Sequence, residues 1–314
     1  MIDDELNNGT LYGFYLKLTS PDHGYLSSAA CKFFAVAASI GITAGAHRLW
    51  THRSYKASFS VQIILMIMAT LTYQNSVYIW ARDHRLHHKY AETDADPHNA
   101  KRGFFFSHIG WLMVRKHEEV KRKGLTLDMS DLEDNPIVMF QHRHYGKLVL
   151  LIAVIMPIGI ERLLIGAPWR ETIFIYTIYR YVVSVNTTWC VNSLAHLYGH
   201  KPYNTKIGPT ENPLMKIIGM GEGFHNYHHT YPWDYKASEF INDYRNPTTI
   251  LIDFLAKLGY VWDRKTVSQD IINKKIIKSG DFSSRDDHML RDNLTKTIWN
   301  LIYMILLCSY VVLA

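Results

Sequence analysis

Histidine is the residue in excess, with 17 among 314 positions, and its spacing repeats. The stretch ARDHRLHHKY (81–90) carries His84, His87 and His88, and EGFHNYHHTY (222–231) carries His225, His228 and His229. On an α-helix, positions i, i+3 and i+4 fall within an arc of about 100°, so each triplet projects from one face. A third group, HRLWTH, holds His47 and His52. Five residues of α-helix would leave these about 140° apart, so the helix is expected to end near His47 and the chain to bend before His52. His196 stands alone in NSLAHLYGH. Taken singly, each group reads equally well as interfacial packing or as an exposed basic face. Three groups, each where an apolar run meets a polar one, point instead to metal binding.

Neutral imidazole suits zinc, copper, iron and nickel alike. Zinc is usually satisfied by four ligands, and nine histidines exceed that. They would fill most positions of two five- or six-coordinate ions and leave an opening for a substrate or oxygen. Two irons at a nitrogen-rich site suit oxygen activation. Asp83, Asp94, Asp96 and Glu222 are carboxylates near enough in sequence to hold the outer N–H groups of the ligand rings and fix their tautomers.

The elements that must position these groups are read from the apolar runs. A transmembrane helix needs about 20 mainly apolar residues. Leu26–Ala46 meets this without a charge, and Leu148–Pro168 and Thr172–Asn192 also have the length, separated by the polar turn WRE. Glu161 and Arg180 are costly in lipid and are expected near an interface or facing protein. Phe59–Trp80 is apolar too, but one crossing there would put HRLWTH and HRLHH on opposite sides. With Gln62, Thr70, Thr72, Gln74 and Asn75 it reads as one buried or interfacial helix with a polar stripe. Residues 82–147 and 196–297 carry Lys and Arg close to the membrane ends and are expected in the cytosol. The fold class is therefore an all-α integral membrane protein, a transmembrane helix bundle with a helical cytosolic cap holding the histidine-rich di-iron site. In chain order this gives a stretch whose apolar run is too short to span (1–25), a membrane helix (26–46), an N-terminal cap segment (47–147), a membrane hairpin (148–192), a C-terminal cap segment (193–297) and an apolar end (298–314). The net charge of +6 suits an anionic membrane face and is too weak for nucleic acid. Cys31, Cys190 and Cys308 lie far apart in apolar runs, which excludes a disulfide framework and a CxxC zinc site.

The segments GITAGAHRLWTHRSYKA, WARDHRLHHKY, DADPHN, RGFFFSHIGWLMVRKH, NSLAHLYGHKPYN and GEGFHNYHHTYPWDY closely resemble the membrane-bound acyl-CoA desaturases, the stearoyl-CoA desaturase group, over about residues 35–265. The resemblance implies an endoplasmic-reticulum enzyme with four membrane helices and a cytosolic cap holding two irons. Its ligands would be the nine histidines named, with Asn192 holding an iron-bound water. Cytochrome b5, fed by its reductase, would supply electrons one at a time. Oxygen would be reduced to water as two neighbouring CH₂ groups of a fatty acyl-CoA lose hydrogen, leaving a cis double bond at the ninth carbon. Such chemistry has no acidic proton to work on, so selectivity must come from positioning one C–C bond. By resemblance, Gln74, Trp80 and Thr188 bend the acyl chain and Trp189 is a further substrate contact. Asn75, Arg82, Asp83, Arg115 and Lys116 would bind the phosphate-bearing carrier; the same Arg and Lys residues also suit lipid headgroups. Ala35 and Ser39, a small i, i+4 pair, would line the far end of the tunnel and admit eighteen carbons or more.

Two departures stand out. Only LYGFYLKL stands where the family has its first membrane helix, so by resemblance residues 1–25 would be a remnant of that helix with a luminal loop, as in a truncated isoform or an incomplete gene product. TIWNLIYMILLCSYVVLA nearly spans a bilayer where the family ends in a soluble tail. Ile298–Leu313 would either fill the vacated position or act as a tail anchor, and sequons at Asn8 and Asn293 offer a topology test. A di-iron fatty acyl hydroxylase and a silent lipid-binding paralogue are the competing functions. A haem electron carrier needs only two axial histidines and leaves most of the set unexplained.

Overall fold

A computed structural model describes residues 25–240 and 243–281; LYGFYLKL, Cys308, both sequons and Ile298–Leu313 lie outside the described residues. The first apolar run folds as α1 (Tyr25–Ile40) and continues without a break as a π-helix, Gly41–Thr51. The expectation that the helix ends near His47 is therefore corrected. The chain keeps winding, with i→i+5 bonds, and His52 N–H donates to His47 O at 3.1 Å. This winding sets residues five apart nearly one above the other, so the two rings stand 4.8 Å apart.

The expected single helix Phe59–Trp80 is two. α2 (Phe59–Thr70) is capped by Ser58, and α3 (Val77–Tyr90) by Ser76, each hydroxyl satisfying an amide that the first helical turn leaves unpaired. Between them Tyr73 and Asn75 adopt left-handed backbone with φ of 52° and 73°, which no α-helix tolerates. The break puts Gln74 and Asn75 in a turn and Trp80 on the helix that carries His84, His87 and His88. α2 packs closely against the π segment: a Cβ on Gly41 would lie 2.2 Å from Ala69 N.

Residues 145–164 are helical, and a second helical run, 169–197, ends in α4 (Arg180–Leu197). The turn lies at 165–168, so WRE opens the second helix instead of forming the loop as expected. Pro168, with its fixed φ and no N–H, precedes the first helical turn, where a missing donor is harmless. Glu161 and Arg180 are both buried against protein. Among the described residues one helix, Leu26–Thr51, is long and apolar enough to cross a membrane; the 145–164 helix carries Lys147, Glu161 and Arg162.

Two short elements complete the cap. α5 (His225–Thr230) carries the second histidine triplet, and α6 (Pro247–Lys257) packs on the π segment. A two-residue antiparallel ladder, β1 (Lys56–Ala57) with β2 (Val261–Trp262), ties the segment after His52 to the C-terminal lobe. Cys31 and Cys190 are buried and not joined in a disulfide.

Candidate metal centre

The nine histidines converge from four elements, and the repeated spacing acquires a reason. They divide into one group of five, His47, His52, His84, His88 and His228, and one of four, His87, His196, His225 and His229. Each helical triplet serves both groups. α3 gives its i, i+4 pair, His84 and His88, to the first group and His87 to the second. α5 does the reverse, giving His225 and His229 to the second group and His228 to the first. One helical face thus straddles two centres, and the two triplets are exchanged about them.

The contacts within each group fit a shared ion and do not fit hydrogen bonds. His228 Nε2 stands 2.9 Å from His47 Nε2 and 3.0 Å from His88 Nε2, which is itself 3.1 Å from His84 Nε2. In the second group His196 Nε2 lies 3.2 Å from His87 Nε2 and 3.0 Å from His225 Nε2, which lies 3.1 Å from His229 Nε2. One ring nitrogen has a single lone pair or a single N–H and cannot serve two neighbours. Imidazole nitrogens held about 2.1 Å from one ion at right angles stand about 3.0 Å apart. The donor set therefore suits two metal ions.

Electrostatics agree. Burial, reinforced by the neighbouring rings, pushes His52, His84, His88, His225, His228 and His229 well below the usual histidine range. Burial lowers His196 as well. These rings are neutral at pH 7, the form a metal needs. Two carboxylates orient rings from behind. His87 Nδ1 bonds Asp96 Oδ1 at 2.8 Å, and His47 Nδ1 meets Glu222 Oε2 at 3.0 Å. Burial alone would raise both acids, yet His87 holds Asp96, and His47 with Arg48 holds Glu222, well below the carboxylate range. Of the four carboxylates expected here, Asp83 and Asp94 are corrected: Asp94 is exposed, and Asp83 binds Arg82 at 2.9 Å and also Lys116. Glu92, which sequence reasoning passed over, faces His196 Nδ1 at 3.6 Å, too long for a hydrogen bond.

Arg48 was also missed, although it sits beside His47 in HRLWTH. It is 1 % exposed, and its guanidinium donates to Glu222, Asn246, Thr249 and the carbonyl of Tyr235. Gly221, at φ 102°, lets the chain pass Asn246; a Cβ there would lie 2.5 Å from Asn246 Cγ. Nothing in sequence spacing links residues 48 and 246, which are 198 apart.

Two cavities meet at the centre. One, of about 370 Å³, is lined by Gln74, Asn75, Asp83 and Trp189. The other, of about 60 Å³ and mostly apolar, reaches Ser39 and Ile42 on the first helix. Both are walled by Trp80, His84, Thr188 and Asn192. Where they join, Gln74 Nε2 donates to Thr188 Oγ1 at 3.0 Å, and Trp80 stacks on His84 at 4.8 Å. Asn192 lies one turn before His196 on α4. Arg82 and Lys116 line a third hollow with Asp83, and Arg115 is exposed beside Lys116. Ala35, half-buried, accepts a hydrogen bond from Ser39 Oγ at 3.0 Å and lies one turn beyond the cavity wall. His108 clamps α4 between Ser193 and Asn186, at 3.0 Å from each.

Comparison with known proteins agrees with this arrangement. The family model "Fatty acid desaturase" matches residues 24–236, which include all nine histidines. The chain is 49 % identical to the acyl-CoA Delta-9 desaturase of Acheta domesticus over 282 residues, covering 88 % of this chain and 77 % of the relative. It is 50 % identical to the stearoyl-CoA desaturase of Homo sapiens over 276 residues, covering 88 % and 76 %. It is 48 % identical to an acyl-CoA Delta12-desaturase of Acheta domesticus, covering 88 % and 77 %. Two exchanged histidine triplets around a pair of metal-binding groups, on a helical frame matched across most of its length, place the chain in the fatty acid desaturase family.

Proposed function

We propose that the protein is an oxygen-dependent acyl-CoA desaturase that places a cis double bond in a long-chain saturated fatty acyl-CoA. The observation that carries this is a pair of cavities that share the walls Trp80, His84, Thr188 and Asn192 and touch both histidine groups at His47, His84 and His225; together they would make the acyl passage. Two bound irons would supply oxygen activation and hydrogen removal from two neighbouring CH₂ groups, the two hydrogen atoms leaving with O₂, two electrons and two protons as two waters. Everything else falls to the chain's own side chains. The nine neutral rings would hold the metals, the first by five and the second by four, and Asn192 would complete the second through a water. Asp96 and Glu222 keep the proton of His87 and His47 on Nδ1 and so leave Nε2 free to ligate.

Asn75 and Asp83 line the larger cavity, Arg82 and Lys116 meet Asp83 in the hollow beside it, and with Arg115 they would bind the phosphates and amides of the carrier. Beyond Trp189 the walls are largely apolar, and the Gln74–Thr188 bond with Trp80 forces a bend beside His84. A saturated chain seated there presents one C–C bond to the metals in the bent form that a cis product requires, which is catalysis by positioning. The polar end, the cap and the basic segments beside it are assigned to the cytosol, where cytochrome b5 delivers electrons. Leu26–Ala46 and the hairpin 148–192 cross the endoplasmic-reticulum membrane, with Glu161 and Arg180 turned into protein. The ninth carbon is the assigned position. Overall identity does not choose it, since a Delta-9 and a Delta12 relative match almost equally, so the register must lie in the passage itself.

The test is turnover by the purified full-length protein with stearoyl-CoA, oxygen, cytochrome b5 and its reductase. Octadecenoyl-CoA is expected, with about two irons per chain. A hydroxylated product would make the centre a hydroxylase, and tight acyl-CoA binding without product would make the protein a lipid-binding relative.

A further inference from the structure

His98 belongs to neither histidine group's completed shell, yet it stands in the wall of the larger cavity with Asp83, His84, Trp111, Trp189 and Asn192. It is 8 % exposed, and its Nδ1 is fully buried with no hydrogen-bond partner. The ring is held by packing alone, edge-on to Trp111 at 4.5 Å and 5.5 Å from His87.

The neighbours that might have satisfied it are occupied. Asp96 accepts from His87 Nδ1 at 2.8 Å, from the backbone amide of His98 at 2.9 Å and from that of Glu92 at 2.8 Å. Asp83 is taken by Arg82 and Lys116. The indole N–H of Trp111 donates to His108 O at 3.2 Å. A metal shared by His87, Asp96 and His98, whose ligand atoms lie within 4.8 Å of one another, would break the His87–Asp96 bond that leaves His87 Nε2 free for His196's group. With Nδ1 sealed in protein, Nε2 is the ring nitrogen left to something that enters the cavity.

We propose that His98 donates a hydrogen bond to the thioester carbonyl of the bound acyl chain and so sets which carbons reach the metals. The inference rests on the acyl-CoA reading above. A chain seated in this cavity shares it with Asp83, His98, His84 and Asn192. The carbonyl is the only strong acceptor at that end of an otherwise apolar chain, and a neutral imidazole offers the complementary N–H. Once the carbonyl is pinned, the reacting bond lies a fixed number of carbons beyond it; without the pin the chain can slide.

The test compares binding of stearoyl-CoA with that of S-octadecyl-CoA, its thioether analogue in which CH₂ replaces the carbonyl, to the iron-loaded full-length protein in detergent without reductant. The parent protein is expected to favour the thioester about tenfold. His98→Phe, which keeps the ring packed on Trp111, should bind both ligands alike, and His98→Gln should restore part of the preference. Iron content should be unchanged, and on turnover His98→Phe should spread the double bond over neighbouring carbons. His98→Leu reads the same if the Phe variant fails to fold. A full thioester preference and a single product in these variants would overturn the proposal, as would loss of iron, which would make His98 part of the metal shell. If the parent protein forms no double bond, the desaturase reading fails; the two binding comparisons still decide whether His98 meets the carbonyl.

Discussion

Replacing Asp96 with Asn should unload the four-histidine group and spare the five-histidine group. Asp96 spans three N–H donors, His87 Nδ1 and the amides of His98 and Glu92, at 2.8, 2.9 and 2.8 Å. Asn has one acceptor oxygen and sets an NH₂ where the other was. If that NH₂ faces His87, the ring must accept at Nδ1 and carry its proton on Nε2, the nitrogen 3.2 Å from His196 Nε2, and it can no longer ligate. If it faces Glu92, a buried amide loses its partner at a cost of about 1–3 kcal/mol, and the turn that brings Glu92 toward His196 loosens. Either orientation strikes the second group. Loss of such an outer partner typically weakens metal binding about 10–100-fold, or roughly 1.4–2.7 kcal/mol. The assay is iron per chain by mass spectrometry of purified protein equilibrated with a graded series of chelators. The parent protein should hold about two irons, and Asp96→Asn should lose one at tenfold to hundredfold weaker chelation while keeping the other. Two irons retained with unaltered chelator resistance would refute the reasoning.

Acidification should destabilise the metal-free protein. The six most strongly shifted histidines have folded pKa values below the unfolded value near 6.5, so below that pH the unfolded chain binds more protons. Stability should be level above about pH 7 and fall as pH drops through 6.5 toward the folded values, by about 1.4 kcal/mol per pH unit for each such ring. A melting temperature of the apo protein that rises on going from pH 7.5 to 5.5 would contradict this. Gly221→Ala should detach Asn246 from Arg48, costing about 1–3 kcal/mol in strain and unloading the five-histidine group; a variant with the parent's melting temperature and both irons would show that the turn matters less than its geometry implies. Ala35→Trp, one turn beyond Ser39 on α1, should shift the preferred substrate to shorter chains at unchanged iron content, read by competition among acyl-CoA lengths.

Much of the site was legible because metal ligation repeats short spacings. The i, i+3, i+4 histidines fall on one helical face whatever surrounds them, and all nine come together. Their division between two groups was not legible, since one face serves both centres only when a second helix stands opposite with its triplet exchanged. HRLWTH misled for a local reason: α-helical geometry separates His47 from His52, whereas the π winding from Gly41 to Thr51 aligns them, and no spacing rule distinguishes the two. Phe59–Trp80 is apolar enough for one helix, and only the left-handed backbone at Tyr73 and Asn75 breaks it. Asp96 lay near its ring, His87, and could be anticipated; Glu222 was expected beside the second triplet, but the ring it holds is His47, far away in sequence. Arg48 with Asn246 and Thr249, and His98 in DADPHN, act through contacts or an empty hydrogen-bonding position that only the folded chain displays.

The most direct test of the account is expression in a yeast strain that lacks its own desaturase, with the lipids read by mass spectrometry. The account predicts growth without added unsaturated fatty acid and monounsaturated acyl chains with the double bond at the ninth carbon. Good expression of an iron-loaded protein with no unsaturated product would contradict it.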